Sequence, residues 1–327
     1  MLAHGGAQIQ IEQTKAGLEA HGVEVEYLRW WDKAQRGDLL HYFGTASNSY
    51  LVIARNAGLP LVMTNLFTET CNRSQSRLVR QGWLIQTALK IPLLQQVKSQ
   101  LNWSIYCHAP HNVVGLECEK FVLEKAYHVP SERISLVPLG LSEAFLNAGS
   151  GSRGENHLIT TGTITERKNS VALAELAHAA QVPVLFVGKP YHPQDPYWLR
   201  FKKLIDNRWV KLQPHTDSEA EINSLLQAAR GFVLMSRFEN WCLSAHEAIA
   251  CGLPVLVQDQ NWSRERFGNQ ARYFQTIGFS EENVRRLKQF YADAPSLAAP
   301  AIKLHSWMEV GGELKKVYEQ VLSRHAK

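Results

Sequence analysis

The chain has 327 residues, 45% of them hydrophobic and 20% charged, with a formal net charge of +5. This is enough chain for two domains with separate cores, at the composition of a water-soluble globular protein. No apolar run reaches the roughly 20 residues that span a bilayer, and the start MLAHGGAQ lacks the basic and apolar regions of a secretory leader. Five cysteines (Cys71, Cys107, Cys118, Cys242 and Cys251) without CxxC spacing are expected to be reduced thiols of a cytoplasmic protein.

In chain order, strand and helix patterns alternate, the sign of parallel α/β sheets. Helices are predicted over 8–20, 49–57, 77–88 and 113–127, and strands over 23–28, 38–43, 60–64, 104–107 and 134–137. A Gly/Ser-rich stretch, 147–156, has the composition of a linker or exposed loop. Beyond it the pattern predicts strands at 157–161, 182–187 (ending at Gly188-Lys189) and 209–212, with helices at 170–180 and 219–229. The expected division is 1–146, 147–305 and a final segment 306–327.

The charge is unevenly spread. Between Glu69 and Glu117 there is no acidic residue, while Arg73, Arg77, Arg80, Lys90 and Lys98 are interleaved with Trp83, Leu84, Ile85, Leu93 and Trp103. Two readings stand: peripheral contact of 72–103 with an anionic membrane or acceptor, or a core-packing helix pair with a basic solvated side. No helix-turn-helix, finger or aromatic strand motif accompanies the charge, so nucleic acid is not the expected partner. His108 and His111 in CHAPH have a spacing found in metal sites, but without an acidic ligand nearby a structural role is expected.

The segment 231–257, GFVLMSRFENWCLSAHEAIACGLPVLV, carries the chemistry. A strand at 232–235 enters a polar loop, a helix follows at 244–251, Gly252 stops it, and Pro254 leads into a strand at 255–257. Glu239 and Glu247 thereby fall at the carboxyl end of a strand, where open α/β sheets bind ligands. A competing structural reading exists for Glu247, because Ser244-Ala245-His246-Glu247 has the spacing of a capping box.

With Ser236, Glu239, Leu243, Glu247, Ala248, Ala250, Gly252, Pro254 and Val255 in place, the segment resembles the donor-site signature of retaining GT-B glycosyltransferases of family 4. Asn240, Trp241 and Cys242 replace the usual Gly-Phe-Gly. The resemblance extends to 134–145, similar to the family's interdomain passage, and to a last helix around 313–322, similar to one that crosses back onto the first domain. It implies two Rossmann-like domains with parallel sheets facing across a cleft, the acceptor on the N-terminal side and a nucleotide-diphosphate sugar on the C-terminal side. Gly5-Gly6 resembles the glycine turn after the first strand of the acceptor domain. Only Met1 to His4 precede it, so that first strand is expected to be missing.

The resemblance also implies roles. Glu247 would accept hydrogen bonds from the ribose, and Glu239 would lie at the donor sugar. Gly162, Thr163, Arg167 and Lys168 would face the diphosphate, Lys168 matching the family's lysine while Thr163 stands where it has an arginine. Asn240, Trp241, Cys242 and Leu243 would line the sugar and phosphates, with Gly188 and Lys189 beside them. On the acceptor side the family's histidine after the third strand is absent, leaving Asn65 or Thr64 as a candidate. No Asp-x-Asp motif is present, so cations in place of a metal are expected to hold the diphosphate, with no cofactor besides the donor. The expected function is retaining transfer to a glycan or glycolipid. A degenerate sugar-nucleotide-binding protein, or another GT-B enzyme such as an epimerase, are the alternatives.

Overall fold

The computed structural model describes residues 6–29, 31–67, 69–91, 103–149 and 156–325. It divides into two compact units. One takes Ile11–Leu139 and the chain from Trp307 onward; the other takes Gly140–Ser306 and the segment up to Gln10. The division falls at Leu139/Gly140, earlier than the expected 146/147, and the helix Glu143–Leu146 packs with the second unit: Asn223 Nδ2 donates to the Ala144 carbonyl at 2.9 Å. Residues 1–5, which include Gly5 and the place of the expected missing strand, lie outside the described residues, as does part of the 72–103 stretch.

The first unit holds a four-stranded parallel sheet, β1 (Leu40–Phe43), β2 (Leu61–Thr64), β3 (His111–Val114) and β4 (Ile134–Leu136), in sequential order. Every residue of β2 and β3 is buried, as parallel strands covered on both faces require. Three sequence expectations fail here. Residues 104–107 belong to a helix, Trp103–His108, and the predicted helix 113–127 is strand β3 followed by the helix Glu117–Ala126. The reason is that β3 buries polar side chains paired across the fold: Asn112 Oδ1 accepts from Asn65 Nδ2 at 3.0 Å, and His111 Nε2 meets Ser135 Oγ at 2.8 Å. A paired polar residue carries no apolar signal. Residues 23–28 form no strand; their carbonyls are met by side chains instead, Val25 by Lys15 Nζ at 2.6 Å and Tyr27 by Gln35 Nε2 at 3.0 Å.

The last helix, Trp307–His325, is longer than the predicted 313–322 and packs within the same unit. Lys315 Nζ donates to the His21 carbonyl at 2.9 Å, and the buried Tyr318 hydroxyl meets His41 Nδ1. The other ring nitrogen of His41 bonds Thr64 Oγ1 at 2.8 Å. Burial holds this imidazole neutral, its pKa down at about 3.

The second unit is a six-stranded parallel sheet: β6 (Leu158–Thr161), β7 (Val184–Val187), β8 (Val210–Gln213), β9 (Gly231–Leu234), β10 (Val255–Gln258) and β11 (Arg272–Phe274). A two-stranded pair, β5 (Gly140–Leu141) with β12 (His305–Ser306), accompanies it. The order β11-β10-β9-β6-β7-β8 winds outward in both directions from the β6/β9 neighbours. Val184, Phe186, Val233 and Leu256 of the sheet meet Leu173, Leu176, Leu287 and Phe290 in one core. The helices Pro196–Lys202, Asn261–Phe267 and Glu281–Asp293 and strand β11 complete the unit without having been predicted. Among the described residues no helix is long and apolar enough to cross a membrane.

Candidate active site at the switch point

Where strand order reverses, the loops leaving two adjacent strands diverge to opposite faces and open a crevice at the carboxyl ends. Here those loops follow β6 and β9. They are stitched together in both directions: the Arg237 backbone N–H donates to the Arg167 carbonyl, and Arg167 Nη1 donates to the Phe238 carbonyl, each at 2.9 Å. The stitching brings Glu239 onto two cations. Its Oε1 lies 2.8 Å from Lys168 Nζ and 2.9 Å from Arg167 Nη1.

The three groups differ in exposure. The side chains of Glu239 and Lys168 are 8% and 13% exposed, that of Arg167 50%. Burial pushes the Glu239 carboxyl up, but the charges of Lys168 and Arg167 outweigh it and hold the group at about 2. The Arg167 guanidinium is shifted up in turn, by the charge of Glu239. The Glu239 carboxylate and the Arg167 guanidinium are therefore ionised at any physiological pH.

Glycines shape the floor. Gly162 has φ +135, and a Cβ there would meet Lys168 Cε at 3.4 Å, so the bare backbone leaves the lysine its place. A Cβ on Gly188 would stand 2.0 Å from the Gly162 carbonyl oxygen. The Ile164 N–H donates to the Lys189 carbonyl at 3.0 Å and fixes the β7 loop beside the β6 loop. Gly188→Ala is therefore expected to force the two loops apart and to lower stability by about 1–3 kcal/mol, the range for overpacking. Urea unfolding checks this, and an unchanged midpoint would refute the contact.

The helix Leu243–Ala250 begins one residue earlier than predicted and is capped by Cys242, which adopts a left-handed conformation (φ 49, ψ 51) at a position where the resembled signature has glycine. Ser244 is thus inside the helix, and the Ser244–Glu247 capping box does not form. Burial and the nearby Glu239 charge push the Cys242 thiol up to about 12, so it is an inert packing group. Glu247 is half-buried, and its side chain makes no hydrogen bond or ion pair among the described residues. Burial and the Glu219 charge raise its carboxyl to about 7, against the opposing pull of Lys168. The same turn holds Trp241 Nε1 and Ser244 Oγ, both buried without a hydrogen-bond partner among the described residues. Asn240 and Leu243 are partly exposed beside them. Polar groups left open in this way are rare unless something binds there.

Residues 146–301 match the family glycosyl transferases group 1. The whole chain has the GT-B fold. It is similar to sucrose-phosphate synthase from Thermosynechococcus elongatus at 16% identity, covering 97% of this chain and 79% of that one with a TM-score of 0.64. It is also similar to HepE of Anabaena, solved in complex with UDP and glucose, at 15% identity, 98% and 84% coverage and a TM-score of 0.62. A third likeness is to AviGT4, a glycosyltransferase involved in avilamycin A biosynthesis, at 14% identity, 98% and 91% coverage and a TM-score of 0.58. At these identities the likeness is one of fold. No curated protein matches the chain in sequence.

All of the donor-side residues expected from the sequence fall within the group 1 region, on loops at the carboxyl ends of β6, β7 and β9 or on the helix that follows β9. Thr163 stands where the family has arginine, and Arg167 reaches Glu239 from four residues further on. Ser236, matched in the signature but not expected in the site, is fully buried beside Glu239. In the other unit Asn65 is fully buried; its Nδ2 is taken by Asn112, while its Oδ1 has no partner among the described residues. Gly6, expected on the acceptor side, opens the helix Gly6–Glu19 and is grouped with the unit of Gly140–Ser306 instead of with Asn65. His111 is buried at the Ser135 contact, with burial and Arg324 lowering it to about 4. Among the described residues no three His, Cys, Asp or Glu side chains gather as a metal cluster.

Proposed function

We propose that the chain is a retaining glycosyltransferase, of hexosyl type, that moves sugar from a nucleotide-diphosphate donor to a glycan or lipid-linked acceptor in the cytoplasm, as in polysaccharide biosynthesis. The observation that carries this reading is the cluster of Lys168 and Arg167 on one oxygen of Glu239, at the switch point of a group 1 region. Two cations on one carboxylate leave a net positive charge for a diphosphate, and fixed cations of this kind stabilise a departing diphosphate without a metal.

In this reading the diphosphate takes up Lys168 and Arg167, with the Gly162-Thr163 and Gly188-Lys189 loops and Asn240 to Leu243 around it. Glu239, ionised throughout, then faces the sugar and favours positive charge developing at its anomeric carbon. Glu247 accepts from both ribose hydroxyls, a geometry that suits a carboxylate with no competing partner. On the acceptor side, Gly5, Gly6 and Asn65 are the proposed contacts. The acceptor oxygen bonds to the anomeric carbon on the face from which the diphosphate leaves, the sugar–phosphate bond breaks, and the acceptor proton passes to the departing phosphate oxygen.

HepE was solved with UDP and glucose, so UDP and UDP-glucose are the first ligands to test, beside GDP and ADP. Calorimetric titration is expected to show saturable binding of one nucleotide, unchanged by EDTA and lost in Lys168→Ala. Binding abolished by EDTA would overturn the metal-independent reading. No binding of any nucleotide would favour a degenerate relative.

A further inference from the structure

The helix Gln75–Lys90 commits only one face to its own unit. Leu78, Gly82 and Ile85 are buried, and a Cβ on Gly82 would lie 2.0 Å from the Lys125 carbonyl oxygen. That glycine lets the helix touch Glu117–Ala126 at backbone distance. The opposite face is unusual. At about 100° per residue, Arg80, Trp83, Leu84 and Thr87 share it, with Val79, Arg77 and Lys90 towards its edges. Val79, Trp83 and Leu84 are 53%, 65% and 53% exposed. Arg77, Arg80 and Lys90 are exposed too and make no ion pair among the described residues.

A helix whose outer side merely faced water would carry charges of both signs and few large apolar groups. This one carries a tryptophan, two aliphatics and only positive charge, in a stretch of sequence without an acid from Glu69 to Glu117. Aliphatics that need a dry boundary, an indole suited to the interfacial layer, and cations with no counter-ion of their own are together the chemistry of an anionic headgroup region. A protein partner would have to supply both the acidic and the apolar complement; an anionic bilayer has both at its surface.

We propose that this face of Gln75–Lys90 docks on an anionic lipid bilayer, lying in its plane. Val79, Trp83 and Leu84 enter the boundary between headgroups and acyl chains, while Arg77, Arg80 and Lys90 bind lipid phosphates. The docking surface is independent of the proposed transfer, although it would bring the acceptor-side unit to a lipid-linked acceptor.

The test is co-sedimentation of the full chain with vesicles of phosphatidylcholine alone and of phosphatidylcholine mixed with phosphatidylglycerol. Pelleting is expected with the mixed vesicles only. Arg77→Gln with Arg80→Gln should weaken it about 30-fold, at roughly fivefold per cation near an anionic surface. Trp83→Ala with Leu84→Ala should weaken it about tenfold or more at unchanged charge. All four side chains are exposed, so both double variants should melt with the wild type and keep its UDP titration, whatever that titration is. Failure to pellet with the mixed vesicles, or equal pelleting with both, would overturn the proposal. Wild-type binding by the Trp83/Leu84 variant would overturn it as well, marking the cations as a general polyanion surface of the kind an oligonucleotide or heparin would also fill.

Discussion

Glu239→Gln is expected to lower the rate of sugar transfer by about two to three orders of magnitude, the scale for removing one preorganised electrostatic group, while binding UDP at least as tightly as the wild type. The second half of that expectation follows from the contacts: the carboxylate that occupies Lys168 and Arg167 at 2.8 and 2.9 Å would no longer compete with a diphosphate. The same substitution has a cost in stability. The Glu239 carboxyl is brought from its ordinary 4.5 down to about 2. A depressed carboxyl contributes stability that is present above 4.5 and is lost as the pH falls towards about 2. The shift corresponds to about 3 kcal/mol. Urea unfolding should therefore find the variant markedly weaker at pH 7, with the gap narrowing as the pH drops through the acid range. Equal midpoints at neutral pH would show that the ion pairs stabilise nothing.

Glu247→Gln should behave in the opposite sense. Burial and Glu219 raise this carboxyl from 4.5 to about 7. Its contribution to stability is therefore fully present below 4.5 and is lost as the pH rises through about 7. At pH 8 the donor-free protein carries an ionised, half-buried carboxylate without a hydrogen-bond partner among the described residues. The glutamine variant is expected to be more stable there by about 3 kcal/mol, and it should converge with the wild type in acid. The gain comes with a loss: two charge-assisted hydrogen bonds to a ribose are worth enough that UDP-glucose affinity should fall about 10- to 100-fold. Wild-type affinity for UDP-glucose, whose diphosphate has no group titrating near neutrality, should climb with pH and level off above about 7. That climb should vanish in the variant. An untouched affinity in Glu247→Gln would remove the residue from the donor site.

Much of the second unit is legible in the chain because its central strands are runs of apolar residues and its helices stop at glycine or after a short polar turn. The run Phe232 to Met235, the Glu239–Glu247 interval and the Gly252–Pro254 stop place the two acids before any coordinate is known. Legibility fails where side chains are satisfied at long range. His111 and Asn112 read as polar, yet they fill a central strand because Ser135 and Asn65 meet them. Conversely, 23–28 alternates like a strand, but Tyr27 and Leu28 are exposed and no strand among the described residues pairs with the segment. The capping box at Ser244 is undecidable from spacing alone. It is settled by where the helix begins, at Leu243 behind a left-handed Cys242. The substitution of Thr163 for arginine looks like a lost cation until Arg167 is seen on Glu239.

The tether between His41 and Tyr318 joins residues 277 positions apart, and it sets an order on folding during synthesis. The sheet of Gly140–Ser306 can close as soon as its own strands have left the ribosome. The unit formed by Ile11–Leu139 cannot, because the helix that covers His41 starts at Trp307. The 167 residues between Leu139 and Trp307 take roughly 8–30 s to translate at ordinary rates. Throughout that interval the surface that receives Leu314, Val317 and Tyr318 stands uncovered. The half of the molecule made first is therefore the half completed last, and it depends on chaperoning, or on its own solubility, to wait.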